Sequence, residues 1–181
     1  MSRRVIEYTL LSADGIFSGD GIARFHQFRD YAYFRDGLGQ LLACEAMLMG
    51  RTTYEGFAPL WPGRDHPWAE AINAIPKYVF SSSLDRAEWS NSTIFRGDAV
   101  EEVRRLKQED GRNLLVWGHG RLAESLLRAG LTDVIDLSVH PLFLGAGKTF
   151  FRTDQAASLQ LIAAKTFTKG IVKLTYEPQY A

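Results

Sequence analysis

Short apolar segments alternate along the chain with segments whose apolar residues recur at helical spacing. The apolar segments have the length of buried strands: Val5–Leu11, Ala46–Met49, Lys77–Ser81, Thr93–Arg96, Asn113–Trp117 and Val134–Val139. The amphipathic segments are Phe25–Cys44, Thr52–Phe57, Ala99–Glu109 and Leu122–Ala129. In the first of these, an interruption of the helix at Gly37 and Gly39 is the alternative. Because strands that alternate with helices tend to pair in parallel, the pattern predicts an α/β domain built on a mostly parallel sheet.

The end of the chain departs from this alternation and predicts an antiparallel hairpin. Leu159–Phe167 and Ile171–Tyr176 are both strand-like, and the residues between them, TKG, are a turn signal. Two helix boundaries also have local signals, since Asp98 predicts an N-cap and Gly130 a C-cap. No repeat, low-complexity segment or linker interrupts the pattern, so residues 1–181 are predicted to form a single domain.

The composition excludes several functional classes. Hydrophobic residues make up 46% of the 181 residues, which is enough for a continuous core and too much for a disordered chain. Lys and Arg together number 21, as do Asp and Glu, so the formal net charge is zero. A neutral chain has no broad field that attracts nucleic acid or an anionic membrane, so neither is expected as a partner. A small anionic ligand held by a few placed cations stays open.

Disulfide and metal chemistry have little support in the sequence. The single cysteine, Cys44, has no partner for an internal disulfide and no other thiolate with which to share a zinc ion. The four histidines lie far apart, so we expect no metal site. The first residues lack the features of a secretory signal, and no apolar stretch approaches the roughly 20 residues of a membrane helix. We therefore expect a cytoplasmic location.

The most informative local feature is a glycine turn between a strand and a helix. Gly118, His119 and Gly120 follow an apolar strand directly, and Arg121 and Leu122 begin the next helix. Glycine lets a backbone approach a phosphate closely, and the free amides and dipole of a helix N-terminus favour an anion. The turn therefore predicts a phosphate site, with a tight connection that binds no ligand as the alternative.

Two further polar clusters follow predicted strands. Arg51 and Thr52 offer a guanidinium fork and a hydroxyl to a phosphate, and the alternative is a capping box from Thr52 to Glu55 with a solvated Arg51. Ser81–Ser83 offers hydroxyls, with a local serine turn as the alternative. In a parallel sheet these clusters and the glycine turn lie at one edge, where open α/β sheets bind ligands.

The order of these motifs resembles that of the dihydrofolate reductase-like superfamily. Within it the chain is most similar to stand-alone reductases related to the C-terminal reductase domain of the riboflavin-biosynthesis deaminase-reductase. The motifs span nearly the whole chain: SADG (Ser12–Gly15), MGRTTYE (Met49–Glu55), PKYVFSS (Pro76–Ser82), WGHGRLAESLL (Trp117–Leu127) and GLTDVIDLSVHPLFLGAGKTFF (Gly130–Phe151). The resemblance implies a mixed, mostly parallel central sheet that is flanked by helices and closed by a C-terminal antiparallel hairpin.

The resemblance also implies NADPH as the cofactor and a homodimer as the assembly. Arg51 and Thr52 would hold cofactor phosphates, Ser81 and Ser82 would lie by the adenosine end, and the glycine turn Gly118–Leu122 would surround the pyrophosphate. The implied reaction is the reduction of a heterocyclic small molecule, similar to that of 5-amino-6-(5-phosphoribosylamino)uracil reductase. A dihydrofolate or pteridine reductase and a non-catalytic nucleotide-binding module are the alternatives.

Two residues depart from the pattern of these reductases. His119 stands where many of them have a small residue, and its imidazole could stack on the cofactor, hydrogen-bond it, or point to solvent. Trp117 stands where riboflavin-type reductases often have a glutamate that binds the pyrimidine. The substitution weakens the riboflavin substrate assignment and leaves the cofactor assignment as it is.

Asp14 is the candidate catalytic residue. Dihydrofolate reductases carry an acid on the first helix, but the sequence around Asp30 and Asp36 does not match theirs, so neither is assigned that role. Asp14 lies in the turn after the first strand, and a purely turn-forming role is the alternative. The loop Phe57–Ala69 is predicted to form a substrate wall or lid, and the aromatic segment Phe25–Phe34 a dimer or substrate-facing surface.

Overall fold

A computed structural model of the protein describes residues 3–150 and 157–180. The elements, in chain order, are β1 (Val5–Ser12), β2 (Ile16–Ser18), a 3-10 helix (Asp20–Phe28), α1 (Tyr31–Leu42), β3 (Cys44–Gly50), α2 (Arg51–Phe57), α3 (Pro67–Ala74), β4 (Lys77–Phe80), β5 (Ser92–Phe95), α4 (Ala99–Gln108), β6 (Asn113–Trp117), α5 (Arg121–Arg128), β7 (Val134–His140), β8 (Lys148–Thr149), β9 (Ser158–Thr166) and β10 (Val172–Gln179). Phe151, the last residue of the fifth sequence motif, lies outside the described residues.

The main sheet has the strand order β5-β4-β3-β6-β1-β7-β10-β9. The strands from β5 to β7 in this order pair in parallel, whereas β10 pairs antiparallel with both β7 and β9. The short strands β2 and β8 form a separate antiparallel ribbon. The predicted architecture, a mostly parallel sheet closed by a C-terminal hairpin, is confirmed.

Helices cover both faces of the sheet because successive side chains of each strand point to opposite faces. On one face, Met47 and Leu115 pack with Leu41 of α1, Tyr54 of α2 and Ile72 of α3. The core on the other face contains these buried residues from β1, β3 and β6 and from helices α4 and α5: Val5, Leu48, Leu114, Val103, Leu106, Ala123 and Leu126. Thus α2 and α5, which follow neighbouring strands, lie on opposite faces.

The local signals at two helix ends act as expected. The Asp98 carboxylate accepts a hydrogen bond from the Val100 amide at 2.7 Å and caps α4. Gly130 has a φ of +68°, and the Leu131 amide donates to the Leu126 carbonyl at 2.9 Å. A glycine is suited to this position because the left-handed conformation carries a steric cost for residues with a Cβ.

The helical segment Phe25–Cys44 is divided into two helices, and the break lies between Phe28 and Tyr31 rather than at the glycines. A 3-10 helix ends at Phe28, and α1 begins anew at Tyr31 because Asp30 caps it by accepting from the Tyr33 amide at 2.8 Å. The glycines in α1 do not interrupt it, and a Cβ at Gly37 would lie 3.0 Å from the Trp68 ring. Packing against Trp68 therefore accounts for one of these glycines.

The loop predicted for Phe57–Ala69 is shorter than expected. Phe57 is the last residue of α2, and α3 begins at Pro67, where proline suits the first helical position. His66 caps α3 by accepting from the Ala69 amide at 3.3 Å. The connecting loop therefore consists of residues 58–66.

Two features are absent from the part of the chain that the structure describes. None of the helices within residues 3–150 and 157–180 is long and apolar enough to cross a membrane. The same residues contain no group of three or more His, Cys, Asp and Glu side chains arranged to hold a metal ion.

Candidate functional site at the carboxyl edge of the sheet

Three of the predicted site segments follow neighbouring parallel strands. In the order β4-β3-β6, the strands are followed by Ser81, Arg51 and Gly118 respectively. The segments therefore lie side by side at the carboxyl edge of the sheet. Because α2 and α5 leave β3 and β6 toward opposite faces, these two strands form a topological switch point, which is where open α/β sheets bind ligands. We call the space in front of these two strand ends the crevice.

The glycines that border this crevice face open space. A Cβ placed on Gly50, Gly118 or Gly120 would meet no other atom within 4 Å. Gly118 also has a φ of +78°, a conformation that strains any other residue. Gly120 caps α5 without a side-chain hydrogen bond, so the first-turn amides of that helix can serve another acceptor. The turn thus offers both space and donors.

Arg51 lies beside the crevice at the start of α2. Its side chain is 49% exposed; Nε donates to Glu55 Oε1 at 2.7 Å and Nη1 to Ser83 Oγ at 2.8 Å. The capping box from Thr52 to Glu55 is wrong, because Gly50 is the N-cap and Thr52 lies inside the helix. Glu55 instead orients the Arg51 guanidinium, while Thr52 remains exposed.

The three serines after β4 differ in exposure and in hydrogen bonding. Ser81 Oγ accepts from the Leu84 amide at 3.0 Å, so the local serine turn given as the alternative is present. Ser82 and Ser83 are exposed. An open depression of about 510 Å³ lies between this segment and α2, with Arg51, Ser83 and Arg86 in its lining. It lies at the Arg51 end of the edge rather than at the glycine turn.

The His119 side chain does not point to solvent. It is 5% exposed, and its Nδ1 lies 2.8 Å from Oε1 of the buried Glu7 on β1. Its ring packs edge-on against Phe17 at 5.2 Å and tilted against Phe150 at 4.4 Å between centroids. The solvent-facing alternative is therefore wrong, and the imidazole is directed into the protein.

Trp117, just before the glycine turn, belongs to an aromatic cluster that we define as Tyr8, Phe57, Trp61, Trp68 and Trp117. The Trp117 ring lies 5.2 Å from Tyr8, 5.7 Å from Phe57 and 5.4 Å from Trp68, in each case edge-on. Trp61 stacks on Trp68 at 6.2 Å. Trp61 Nε1 is buried and has no hydrogen-bond partner among the described residues. All members except Tyr8 stay partly exposed.

The Asp14 carboxylate is hydrogen-bonded to other groups of the protein. It accepts from the Ser12 hydroxyl and from the amides of Leu144 at 3.1 Å and Gly145 at 2.8 Å. These bonds, that of Ser12 first, lower the pKa of Asp14 to about 2. A carboxyl group with this pKa has no proton to donate at neutral pH, which argues against the expected catalytic role and favours the turn-forming alternative.

Asp30 and Asp36, to which no role was assigned, take part in structural contacts. Asp30 caps α1 and accepts from the Thr168 amide at 3.0 Å, which ties the helix to the hairpin turn. Asp36 forms ion pairs with Lys165 at 2.5 Å and Lys173 at 3.0 Å. Both carboxylates thus connect α1 to the C-terminal hairpin.

Comparison of the sequence with known proteins identifies the family of the chain. The RibD C-terminal domain family matches residues 3–173. The chain belongs to that family. It is 30% identical to the uncharacterized protein YyaP of Bacillus subtilis, over 96% of this chain and 94% of YyaP. It is 26% identical to YwjB of the same organism, over 94% of this chain and 96% of YwjB.

Solved structures with low sequence identity share the RibD-domain fold. A putative riboflavin biosynthesis protein from Shewanella sp. PV-4 aligns over 99% of this chain and all of its own with a TM-score of 0.79 at 19% identity. A pyrimidine reductase-like protein from Corynebacterium diphtheriae aligns over 99% of this chain and 93% of its own with a TM-score of 0.68 at 11% identity. Acinetobacter baumannii RibD, of which this chain covers 59%, gives 0.64 at 15% identity over 99% of this chain. These likenesses show that the chain has the fold of RibD-like domains.

Two buried polar residues of this RibD-family domain were not found from the sequence. In the sequence, Glu7 is simply a polar residue within a predicted strand. Its contact with His119 of the glycine turn, which the structure shows, places it next to the site. His140, at the end of β7, is fully buried and pairs in register with Ser12 of β1. Alternation of apolar and polar residues gives no signal for such pairs, since their partners are far apart in the chain.

Proposed function

We propose that this protein is an NADPH-dependent reductase of a heterocyclic small molecule, similar to 5-amino-6-(5-phosphoribosylamino)uracil reductase. The observation that carries the proposal is the crevice at the carboxyl edge of the sheet. Gly50, Gly118 and Gly120 border it and face open space, and the half-exposed Arg51 lies beside it. Membership of a riboflavin-pathway-like reductase family supports the same conclusion.

The residues along the crevice fit a dinucleotide phosphate. The first-turn amides of α5 and the positive end of its dipole suit the pyrophosphate, with the exposed Arg121 at the same turn. Arg51 and Thr52 suit a cofactor phosphate, and Ser81 and Ser82, in the serine segment that Arg51 contacts through Ser83, suit the adenosine end. Because Arg51 and Arg121 come from different turns, two phosphate groups can be bound at once. This arrangement favours NADPH, with its additional phosphate, over NADH.

The aromatic cluster next to the glycine turn fits the substrate. When bound, NADPH supplies a hydride from its nicotinamide ring. The half-buried rings of Trp61, Trp68 and Trp117 can pack against a planar heterocycle. No carboxylate stands at position 117 to bind a pyrimidine, so a larger conjugated ring such as a pteridine is also a suitable substrate.

Titration with NADPH tests the cofactor assignment. We expect saturable binding by the wild type and a loss of about tenfold in affinity for Arg51→Ala, since one charged hydrogen-bonding group is removed. Arg104→Ala is the matched control, because Arg104 is a similarly exposed arginine in an ion pair on α4. No measurable binding of NADPH at millimolar concentrations, or an equal loss in both variants, would contradict the proposal.

A second candidate function is a nucleotide-binding module without turnover. The lowered pKa of Asp14 favours the binding module, because this carboxyl group has no proton to donate at neutral pH. Oxidation of NADPH in the presence of a pteridine or a ribosylaminopyrimidine separates the two. Turnover supports the reductase, whereas tight NADPH binding without turnover across both compound classes supports the binding module.

We also propose a homodimer. The edge strand β9 is exposed along its whole length, and Leu161 and Ile162 are 51% and 46% exposed. An unpaired edge with apolar side chains is suited to pair with another copy of the chain. Light scattering coupled to size-exclusion chromatography should give twice the mass of the chain. We expect Ile162→Lys to shift that mass toward the monomer.

A further inference from the structure

Glu7 is a buried carboxylate in the middle of β1. It is fully buried, and its Oε1 accepts from Thr9 Oγ1 at 3.3 Å and from His119 Nδ1 at 2.8 Å. Its Oε2 is buried without a hydrogen-bond partner among the described residues. A buried carboxylate with one unpartnered oxygen costs stability that an apolar side chain would not. Packing therefore does not account for this residue, and its shortest bond leads to the glycine turn.

The His119 ring contacts residues from several other segments. Besides the bond from Nδ1 to Glu7, its Nε2 lies 3.8 Å from a carboxylate oxygen of Glu124 in α5. Phe17 of β2 and Phe150 after β8 pack against the ring. The only side chain between the two glycines of the turn is thus fixed by residues from four different segments.

The backbone around His119 has few other restraints. The Gly118 amide donates to the Tyr8 carbonyl at 2.8 Å, which fixes the first residue of the turn. Gly118 and Gly120 have no side chains, and both face open space, so neither can anchor the turn by packing. Glycine has the greatest backbone freedom of all residues. The amides of Arg121 and Leu122 are placed by α5, whereas the position of the His119 and Gly120 amides depends on how the imidazole is held.

We propose that His119 is a positioning residue and that its hydrogen bond to Glu7 holds the His119 and Gly120 amides in line with the first-turn amides of α5, in the arrangement that binds a pyrophosphate. The bond orders a turn that would otherwise lose conformational entropy when the ligand binds. The imidazole acts from behind the turn, since it is directed toward β1, away from solvent. This inference rests on the proposed cofactor site.

Two ligands separate this role from general stability. NADPH contains the pyrophosphate, whereas adenosine 2′-phosphate contains only the adenosine end and the additional phosphate. We expect His119→Phe, which keeps ring packing but removes the donor, to bind NADPH about tenfold more weakly. We expect the same of Glu7→Leu. Neither variant should change the affinity for adenosine 2′-phosphate by more than about twofold.

Two conservative variants test for recovery of binding, and a variant of an unrelated ion pair is the structural control. His119→Asn places an amide donor near the position of Nδ1, and Glu7→Gln keeps an acceptor, so each should recover most of the NADPH affinity. Glu45→Gln is the structural control, because Glu45 binds the buried Arg3 at 2.8 Å at the amino edge of the sheet. It should lower the thermal midpoint without changing either affinity.

The outcomes distinguish the inference from the function on which it rests. An unchanged NADPH affinity in folded His119→Phe, or an equal loss for both ligands, would overturn the positioning role while the cofactor site stands. Failure of the wild type to bind either ligand would overturn the proposed function and this inference together. If His119→Phe does not fold, the comparison of Glu7→Leu with Glu7→Gln decides, since both replacements resemble glutamate in size; equal NADPH affinities in these two variants would overturn the positioning role.

Discussion

The carboxyl edge of the sheet has two halves that differ in how their polar groups are used. In the half formed by β4, β3 and β6, glycines face open space and Arg51 is half exposed. In the half formed by β1 and β7, the polar side chains bond to the protein's own backbone: Asp14 to the loop after β7, and His140 to Ser138. We call these the open half and the closed half. The open half thus combines donors with space for a ligand.

The closed half is tied together by short-range bonds between neighbouring turns. Asp14 accepts two amides from the loop after β7, and Ala13 donates to the Leu142 carbonyl at 2.9 Å. His140 is fully buried, stacks on Phe25 at 4.2 Å, and has its Nδ1 3.0 Å from the Ser138 carbonyl. A polar residue at the carboxyl end of a parallel strand is therefore not by itself a sign of ligand binding.

The largest expected effect is acid destabilisation through His140 in the closed half. Burial lowers the pKa of His140 from 6.5 to about 4, because a charged ring would leave its buried Nε2 without a partner. Between these values the unfolded chain binds more protons than the folded one, so stability falls as the pH drops from 6.5 toward 4. The shift corresponds to about 3 kcal/mol. Urea unfolding at several pH values measures it.

The matched variant for this prediction is His140→Asn. An amide can donate to the carbonyls that Nδ1 now contacts, and it does not titrate in this range. The variant should lose most of the pH-dependent difference while NADPH affinity at neutral pH stays within about twofold. A wild type and a variant with the same pH profile would show that His140 does not carry the effect.

The next largest effect is expected for Gly118→Val in the open half. The φ of +78° strains a branched residue, and the new side chain would occupy the open space in front of the turn. We expect NADPH affinity to fall about a hundredfold while the protein stays folded. Isothermal titration and a thermal melt measure the two properties on the same sample.

Gly97→Val serves as the control for this change. Gly97 is exposed, and a Cβ there also meets no atom within 4 Å, but it lies just before α4 and is not among the positive-φ glycines. It should leave the affinity for NADPH unchanged. Equal affinities in Gly118→Val and the wild type would remove the glycine turn from the proposed site.

The open half was largely predictable from the sequence because its features are local. A strand followed by Gly118, His119 and Gly120 and then a helix can be recognised within a few residues, as can Arg51 after β3. Parallel pairing of the strands then brings the clusters to one edge, as the alternation of strands and helices predicts. The roles of the individual residues in binding stay predictions.

The contacts behind the site were not predictable because their partners are distant in sequence. Glu7 and His119 are 112 positions apart, and the turn containing Asp14 bonds to amides about 130 positions later. The loop Phe57–Ala69 that contains Trp61 and Trp68 is predicted to form a substrate wall or lid, but nothing local indicates that these tryptophans pack with each other and with Trp117. The short ribbon of β2 and β8 was missed for the same reason, since each strand is too short to show alternation.

A smaller effect is expected for Trp117→Ala, which tests the aromatic cluster next to the open half. Removal of the ring that contacts Tyr8, Phe57 and Trp68 should weaken binding of a planar heterocycle about tenfold. NADPH affinity should change less than about threefold. Quenching of tryptophan fluorescence by lumazine, a pteridine probe, measures the first property. Tyr31→Ala, at a highly exposed aromatic residue outside the cluster, should bind lumazine like the wild type.

The smallest effect on binding is expected for Asp14→Asn in the closed half. The Leu144 and Gly145 amides bond to different oxygens of Asp14, and an asparagine has a single oxygen, so the variant loses one of these two bonds. The loss is confined to the closed half, so NADPH affinity should stay within about twofold of the wild type. The lowered pKa means that the carboxylate contributes stability above pH 3.8, and this contribution is lost as the pH falls toward 2. The thermal midpoint of the variant should therefore lie below that of the wild type at pH 6, and the difference should shrink in acid. A variant with a normal midpoint and normal NADPH binding that nevertheless lost turnover would instead identify Asp14 as catalytic and would move the chemistry into the closed half.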